Sequence, residues 1–322
     1  MAKQASIEDR LAEIARLNES PDTPEARIQL RKHLASKISL IVAKAADLVA
    51  RIGDGEFVPD LIAAFHRFMQ DPVKTDKGCA AKIAIVKALL AADCDDEKVF
   101  RTGIRHVQAE PTWGGRADTA APLRALCGLG LVQVGSPDSM NELASLLADR
   151  EADARIGAAR ALGYCGPTAV PLLRFKVLTG DTEPAVIAEC FHALMNLSPS
   201  GSFEFVARFV DHRHDPLHEH AALALSESRL PGVYEFLKEK WSAAFDREFK
   251  RALLLPMALT RSEGARDLLI SVLESGDLST AVSAIVALGI YREDETVRKR
   301  VVAAIAGPNT AQLLAAVQRE FG

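Results

Sequence analysis

Ala154-Arg-Ile-Gly-Ala-Ala-Arg-Ala-Leu-Gly163, followed by Tyr164-Cys-Gly-Pro167 and Thr168-Ala-Val-Pro-Leu-Leu-Arg-Phe-Lys-Val-Leu178, is the stretch whose reading decides the fold. Ala154, Ala158, Ala159 and Leu162 recur at helical spacing on one face of a first helix. Gly166 stops the chain, and Pro167 opens a second helix at the position where its missing N–H costs nothing. The stretch is therefore one helical hairpin. Working outward, Leu162 returns at Leu194, Leu225, Leu259 and Leu288, at intervals of 29–34 residues. Val186, Cys190, Phe191 and Leu194 occupy the same register one interval on, and Leu217, Ala221, Ala222 and Leu225 do so after two. Ala284, Ile285, Leu288 and Gly289 repeat it near the end. A unit of two short helices cannot bury its own apolar face, so this period predicts hairpins stacked on one another.

The composition agrees with a folded array and narrows its use. In 322 residues, 48% are hydrophobic and 25% charged, which excludes wholesale disorder. Only 6% are aromatic, so the core is expected to be Ala, Leu, Val and Ile, small enough for helices to approach closely. The net charge of −4 argues against nucleic acid as the partner. Met1 to Arg10 carries no apolar signal core, and the longest apolar candidate, Ile38 to Ala50, is interrupted by Lys44 and Asp47, so no membrane association is expected. Cys79, Cys94, Cys127, Cys165 and Cys190, an odd set without a CxxC pair, read as free buried thiols in a reducing, cytoplasmic setting.

The rest of the chain divides by pattern. Residues 1–22 hold a short helix that ends before Pro21 and serves as an N-terminal cap; 23–110 read as divergent helical hairpins. Thr23 caps a helix opened by Pro24, and the pattern then continues to Ile52 without a Gly or Pro, predicting one long helix paired with Phe57–Met69. Cys79–Ala92 with Glu97–Val107 follows, then Gln108 to Asp118, whose Pro111 and Gly114-Gly115 read as loop chemistry. Residues 111–307 form the regular array and 308–322 a C-terminal capping helix. Asp149, Asp181, Asp215, Asp246 and Asp277 stand just before the first helix of successive units, placed to cap it. Pro256 inside a first helix predicts a bend. The fold expected is an all-α solenoid of about eight antiparallel helical hairpins with capping helices.

Ala154 to Leu173, with its R-x-x-A-A-x-A-L-G core and G-P-x-A-V-P-L-L second helix, resembles a HEAT repeat, and most closely the short HEAT-like units of phycobilisome lyases and of many bacterial proteins. The resemblance is strong over 149–230, fair over 246–307 and weak before 110. It implies an armadillo-like superhelix that grips a protein partner on a concave surface lined by the second, or B, helices. It also implies an alternative, a bilin-lyase-like or chaperone-type subunit acting on a protein-bound prosthetic group. The iron site of the HEAT-repeat deoxyhypusine hydroxylases needs His-Glu pairs in several repeats. Here only His218-Glu219 is present, one residue out of register, and Ile156-Gly157 and Ala188-Glu189 stand at the equivalent positions. The paired tryptophans of the HEAT-like alkyl-base glycosylases have only loose counterparts in Trp113 and Asp118, or Trp241 and Asp246.

B helices interleave cations and aromatics: Arg105-His106, Arg174 with Phe175-Lys176, Phe203 and Phe205 with Arg208, and Tyr234 and Phe236 with Lys238. Arg and aromatic residues are the types enriched where binding energy concentrates. Arg105, His106, Arg174, Lys176, Arg208 and Lys238, together with Trp113 and Arg116 of the Pro/Gly loop, are therefore the candidate binding residues, suited to an acidic protein partner. The competing reading is ordinary amphipathicity, aromatics inward and cations to water. His214 and His218, in the run Asp211-His-Arg-His-Asp-Pro-Leu-His-Glu-His220, are candidate metal ligands; an Asp215 helix cap preceded by polar loop residues is the plainer reading of the same run. No phosphate-binding glycine loop, nucleophile elbow or Cys/His dyad is present, so the chain reads as a non-enzymatic scaffold or adaptor without a cofactor.

Overall fold

The computed structural model describes residues 6–211, 217–275, 277–305 and 310–322. The chain falls into two compact units, Met1–Leu172 and Leu173–Gly322. The first contains α1 (Ile7–Leu17), α2 (Pro24–Leu34), α3 (Ser39–Ile52), α4 (Val58–Phe68), α5 (Pro72–Thr75), α6 (Ala80–Ala91) and α7 (Glu97–Ile104). Two short strands follow, β1 (Ala109–Thr112) and β2 (Gly115–Asp118), then α8 (Ala121–Gln133), α9 (Ser139–Leu146) and α10 (Ala152–Leu162). The division falls inside α11 (Val170–Thr179). The second unit continues with α12 (Pro184–Leu197), α13 (Pro199–Val210), α14 (Leu217–Glu227), α15 (Val233–Ala243), α16 (Arg247–Ala252) and α17 (Leu254–Leu259). It closes with α18 (Glu263–Ser275), α19 (Leu278–Leu288), α20 (Glu295–Ala304) and α21 (Thr310–Phe321).

Within each unit the helices form two rows. In the first, α3, α6, α8 and α10 pack each on the next, and α2, α4, α7 and α9 pair with them as B helices. In the second, α12, α14, α17, α19 and α21 form the row, partnered by α13, α15, α18 and α20. This is an all-α fold of the solenoid type. The cause is the register read from the sequence: Ala154, Ala158, Ala159 and Leu162 are fully buried, and so are Val186, Cys190, Phe191 and Leu194, Ala221, Ala222 and Leu225, and Ala284, Ile285 and Leu288. Each large side chain on that stripe contributes about 1.5–3 kcal/mol by leaving water. Hydroxyls join successive hairpins: Tyr234 Oη donates to Gly264 O at 2.7 Å, and Tyr291 Oη to Ala258 O at 2.8 Å.

The long helix expected from Pro24 to Ile52 is two helices, α2 and α3, turned at Ala35 to Ile38. Ser36 Oγ accepts the Ile38 N–H at 3.1 Å, and the Arg67 guanidinium, brought from α4, takes the Leu34 carbonyl at 2.5 Å. A serine hydroxyl that offers the backbone an alternative partner favours a turn over a continued helix. Near Pro256 the first helix divides into α16 and α17, as its missing N–H and its clash with the Ala252 carbonyl require. Of the aspartates at the joints, Asp246 and Asp277 cap α16 and α19 directly. Asp149 and Asp181 each accept an N–H two residues on, from Glu151 and Glu183, forming the turn before the helix. Asp215 lies outside the described residues. No helix among the described residues is long and apolar enough to cross a membrane.

Candidate functional site

Residues 109–118, read from composition as a loop, form an antiparallel hairpin in which Ala109 pairs with Asp118 and Thr112 with Gly115. The two-residue turn is Trp113-Gly114, with Gly114 at φ +91°, where only glycine is unstrained. Trp113 at its tip is 104% exposed, as open to water as in an unfolded chain. Arg116 on the second strand reaches back along the ribbon and donates to Ala109 O at 2.6 Å.

The base of the hairpin is fastened by a buried polar network. Asp76 and Lys82, both 0% exposed, form an ion pair at 2.9 Å. Asp76 also accepts the backbone N–H of Ala81 and Lys82 at 2.9 and 3.1 Å, starting α6. The tight approach to α6 needs Gly78 at φ +70° and Cys79 at φ +55°. Gln108 Nε2 then donates to Asp76 O at 2.8 Å and to Glu110 Oε1 at 2.6 Å, and Glu110 accepts further from the Gly78 N–H and the Thr119 hydroxyl. At the other strand Asp118 accepts the N–H groups of Gln108 and Ala120, both at 2.9 Å. Arg124 bridges Asp118 at 2.7 Å and Asp149 at 2.8 and 2.9 Å. Burial would raise the Asp118 carboxyl, but those two N–H groups and the Arg124 guanidinium hold it below the usual carboxylate range. The sequence carries one sign of this network: Lys82 stands in the apolar run Ala80-Ala-Lys-Ile-Ala-Ile-Val86, where a buried amine needs a carboxylate.

The candidate cations separate into paired and unpaired sets. Arg105 is committed to Glu142, and Arg101 beside it to Glu97, Asp138 and Glu142. His106 is half-buried, with Nε2 3.2 Å from Gln108 Oε1, and burial above all holds it below the usual imidazole range. Lys176 pairs with the buried carboxylate of Asp181 at 2.8 Å. In the second unit Arg174, Arg208 and Lys238 form no ion pair with any described residue. Arg174 and Arg208 both stand 4.9 Å from the centre of the Phe205 ring, and Arg174 donates to Gly201 O at 2.6 Å. With Glu204 they line a cavity of about 360 Å³ between α11 and α13. Lys238 lies 5.8 Å from the Tyr234 ring centre.

A neighbouring cavity of about 490 Å³ lies between α13 and α15, where Phe203 and Phe236 meet Ser200, Pro231, Glu235 and Glu239, none of these four marked by the sequence pattern. Phe203 and Phe236 meet edge to face, 5.5 Å between centres. Trp241 is half-buried, with the Lys250 amine 4.6 Å over its ring.

His214 lies outside the described residues; His218, on α14, packs its ring 5.3 Å from Phe249. Among the described residues no group of three or more His, Cys, Asp or Glu side chains is arranged to hold a metal ion. The thiols are poor nucleophiles: burial pushes Cys79 up to about 11 and Cys190 up to about 12.

The chain is an α-helical repeat protein. No family model matches it, and no curated protein does. Among solved structures it is similar to an engineered protein, 18% identical over 99% of this chain and 95% of that one, with a TM-score of 0.38. It is also similar to the complex of CpcE and CpcF of phycocyanin lyase from Nostoc sp., 16% identical over 77% of this chain and 91% of that one, with a TM-score of 0.37.

Proposed function

We propose that the protein is a non-enzymatic scaffold or adaptor that takes another protein against its B-helix face and the Trp113 hairpin. The observation that carries this reading is Trp113, a large apolar ring held wholly in water on a ribbon whose base is cross-linked by Gln108, Glu110, Asp118 and Arg124. Such a ring, held on an ordered ribbon, is a good anchor in a complex, where tryptophan concentrates binding energy. Because the network orders the hairpin in advance, docking loses little conformational entropy. Arg116 on the same ribbon offers a guanidinium to a carboxylate on the partner.

Affinity capture with the full chain tests the reading. The unmodified protein is expected to retain one stoichiometric partner, and Trp113→Ala to weaken its retention by about tenfold or more, the range of a lost anchor. The far-ultraviolet circular dichroism and melting curve of the variant should match the parent, since the ring touches nothing in the free chain. Capture indifferent to Trp113→Ala would refute the assignment.

A further inference from the structure

We infer that α13 is the spine of a second, polar-directional site that receives an extended segment of a partner protein, with a carboxylate on one flank and an apolar side chain followed by a basic one on the other. The inference rests on the protein-binding role proposed above and adds the chemistry of the segment. Its basis is the placement of two unlike cavities on adjacent stripes of one helix. Gly201, Glu204, Phe205 and Arg208, at i, i+3, i+4 and i+7, face α11, whereas Ser200 and Phe203 lie on the next stripe and face α15.

On the α11 flank the guanidiniums of Arg174 and Arg208 converge on Phe205, and neither pairs with Glu204 or any other described carboxylate. Two guanidiniums stacked on a ring and lacking a counter-ion form a receptor for a carboxylate, which they can bind through paired N–H donors. On the α15 flank the half-buried Phe203 and Phe236 rings floor a cavity large enough for one or two side chains. Its rim carries Glu235 and Glu239, four residues apart on one stripe of α15. The two carboxylates repel one another, and neither forms an ion pair with a described residue. Glu235 is eased by the N-terminal turn of α15; Glu239 is not. The nearby lysines do not relieve them. Lys240 is held by Asp211 at 2.6 Å and lies over the Phe236 ring, and Lys238 sits at Tyr234. An apolar floor under a doubly acidic rim fits an aliphatic or aromatic anchor next to Lys or Arg.

The two cavities lie on either side of α13, so they are separated by roughly one interhelical spacing, about 10 Å. An extended chain covers that distance in about three residues. The opposed charges fix the direction in which the segment lies.

The probe is an array of labelled peptides in which Asp or Glu is set two, three or four residues from a Leu-Arg or Phe-Arg pair, in both chain orders, with a charge-reversed set as the control. Titrated against the full chain, the designed set should bind about tenfold or more tighter than the reversed set, the value of one charge-assisted contact. The best peptide should lose about as much on Glu235→Gln with Glu239→Gln, and on Arg174→Gln with Arg208→Gln, while Trp113→Ala leaves it unchanged. Absence of peptide binding, equal binding of the reversed set, or indifference to both double variants overturns the inference. The comparison of the two peptide sets needs no variant to fold. A negative array alongside partner capture that depends on Trp113 leaves the adaptor role standing and removes only this site; a positive array with capture indifferent to Trp113 does the reverse.

Discussion

At the scale of single residues, the close approach of α8 and α10 sets a condition that composition alone hides. A Cβ built on Gly157 would lie 2.2 Å from the Cβ of Ala125 and 2.7 Å from its Cα. The obstacle includes backbone, which cannot rotate away, so Gly157→Ala must push the two helices apart. We expect a loss of about 1–3 kcal/mol, the cost of overpacking a fitted contact, read as a lower urea midpoint with an unchanged slope. Ala125→Gly in the same chain should not restore it, because the Ala125 Cα, 2.7 Å from the new methyl, stays in place. A Gly157→Ala midpoint equal to the parent's would mean that the helices are not so closely apposed. One interval on, the position of Gly157 is taken by Glu189, so the register alone could not reveal which joint demands a glycine. The same limit applied to the cations. Arg105 and Arg208 look alike in sequence, yet one is neutralised by Glu142 from the neighbouring helix and the other keeps no ion pair among the described residues.

At the scale of elements, hairpins of helices were legible and the hairpin of strands was not. Helix pairs repeat a register that can be read several times over, whereas β1 and β2 occur once and have few apolar side chains to betray a period of two. The strands persist because Asp118, Glu110 and Gln108 satisfy polar groups at their base, and that arrangement makes them sensitive to acid. Three titrating groups there are depressed in the folded chain: His106 chiefly by burial, Glu110 chiefly by the Gln108 amide, and Asp118 by its N–H donors and Arg124 acting against burial. A group depressed by folding binds its proton more readily in the unfolded chain. Its stabilisation is therefore complete above the unfolded value and drains away as the pH falls through the folded one. For His106 the drain begins below about 6.5, for Glu110 below about 4.3 and for Asp118 below about 3.9. Lys82 and Arg124, both facing His106, add to the penalty of charging it. Amide exchange at Gly115 and Ala117, normalised for intrinsic rate, should thus accelerate from pH 7.5 to 5.5. His106→Gln should remove that limb, and Asp118→Asn should loosen the hairpin already at neutral pH. Protection that stays level down to pH 5 in the parent would contradict this account.

At the scale of the whole molecule, a fold made by repetition distributes its stability differently from a single core. Each hairpin meets only the ones before and after it, so a local loss should be felt by neighbours and fade along the row. The second unit offers a clean perturbation. Tyr291 Oη, next to α19, donates to Ala258 O on α17, a buried bond between consecutive hairpins, and Tyr291→Phe removes it without altering the ring. The expected cost is about 1 kcal/mol, roughly a fivefold rise in the opening constant of the helices it joins. Amide exchange should therefore quicken in α17, α18 and α19, less in α14, and not measurably in α12 and α13 at the other end of the same unit. The alternative is a unit that opens only as a whole, in which case every slow amide from α12 to α21 would accelerate by the same factor. That outcome would show that stacking between hairpins is strong enough to make the row one cooperative body, and the nearest-neighbour picture drawn from the repeat would have to be given up.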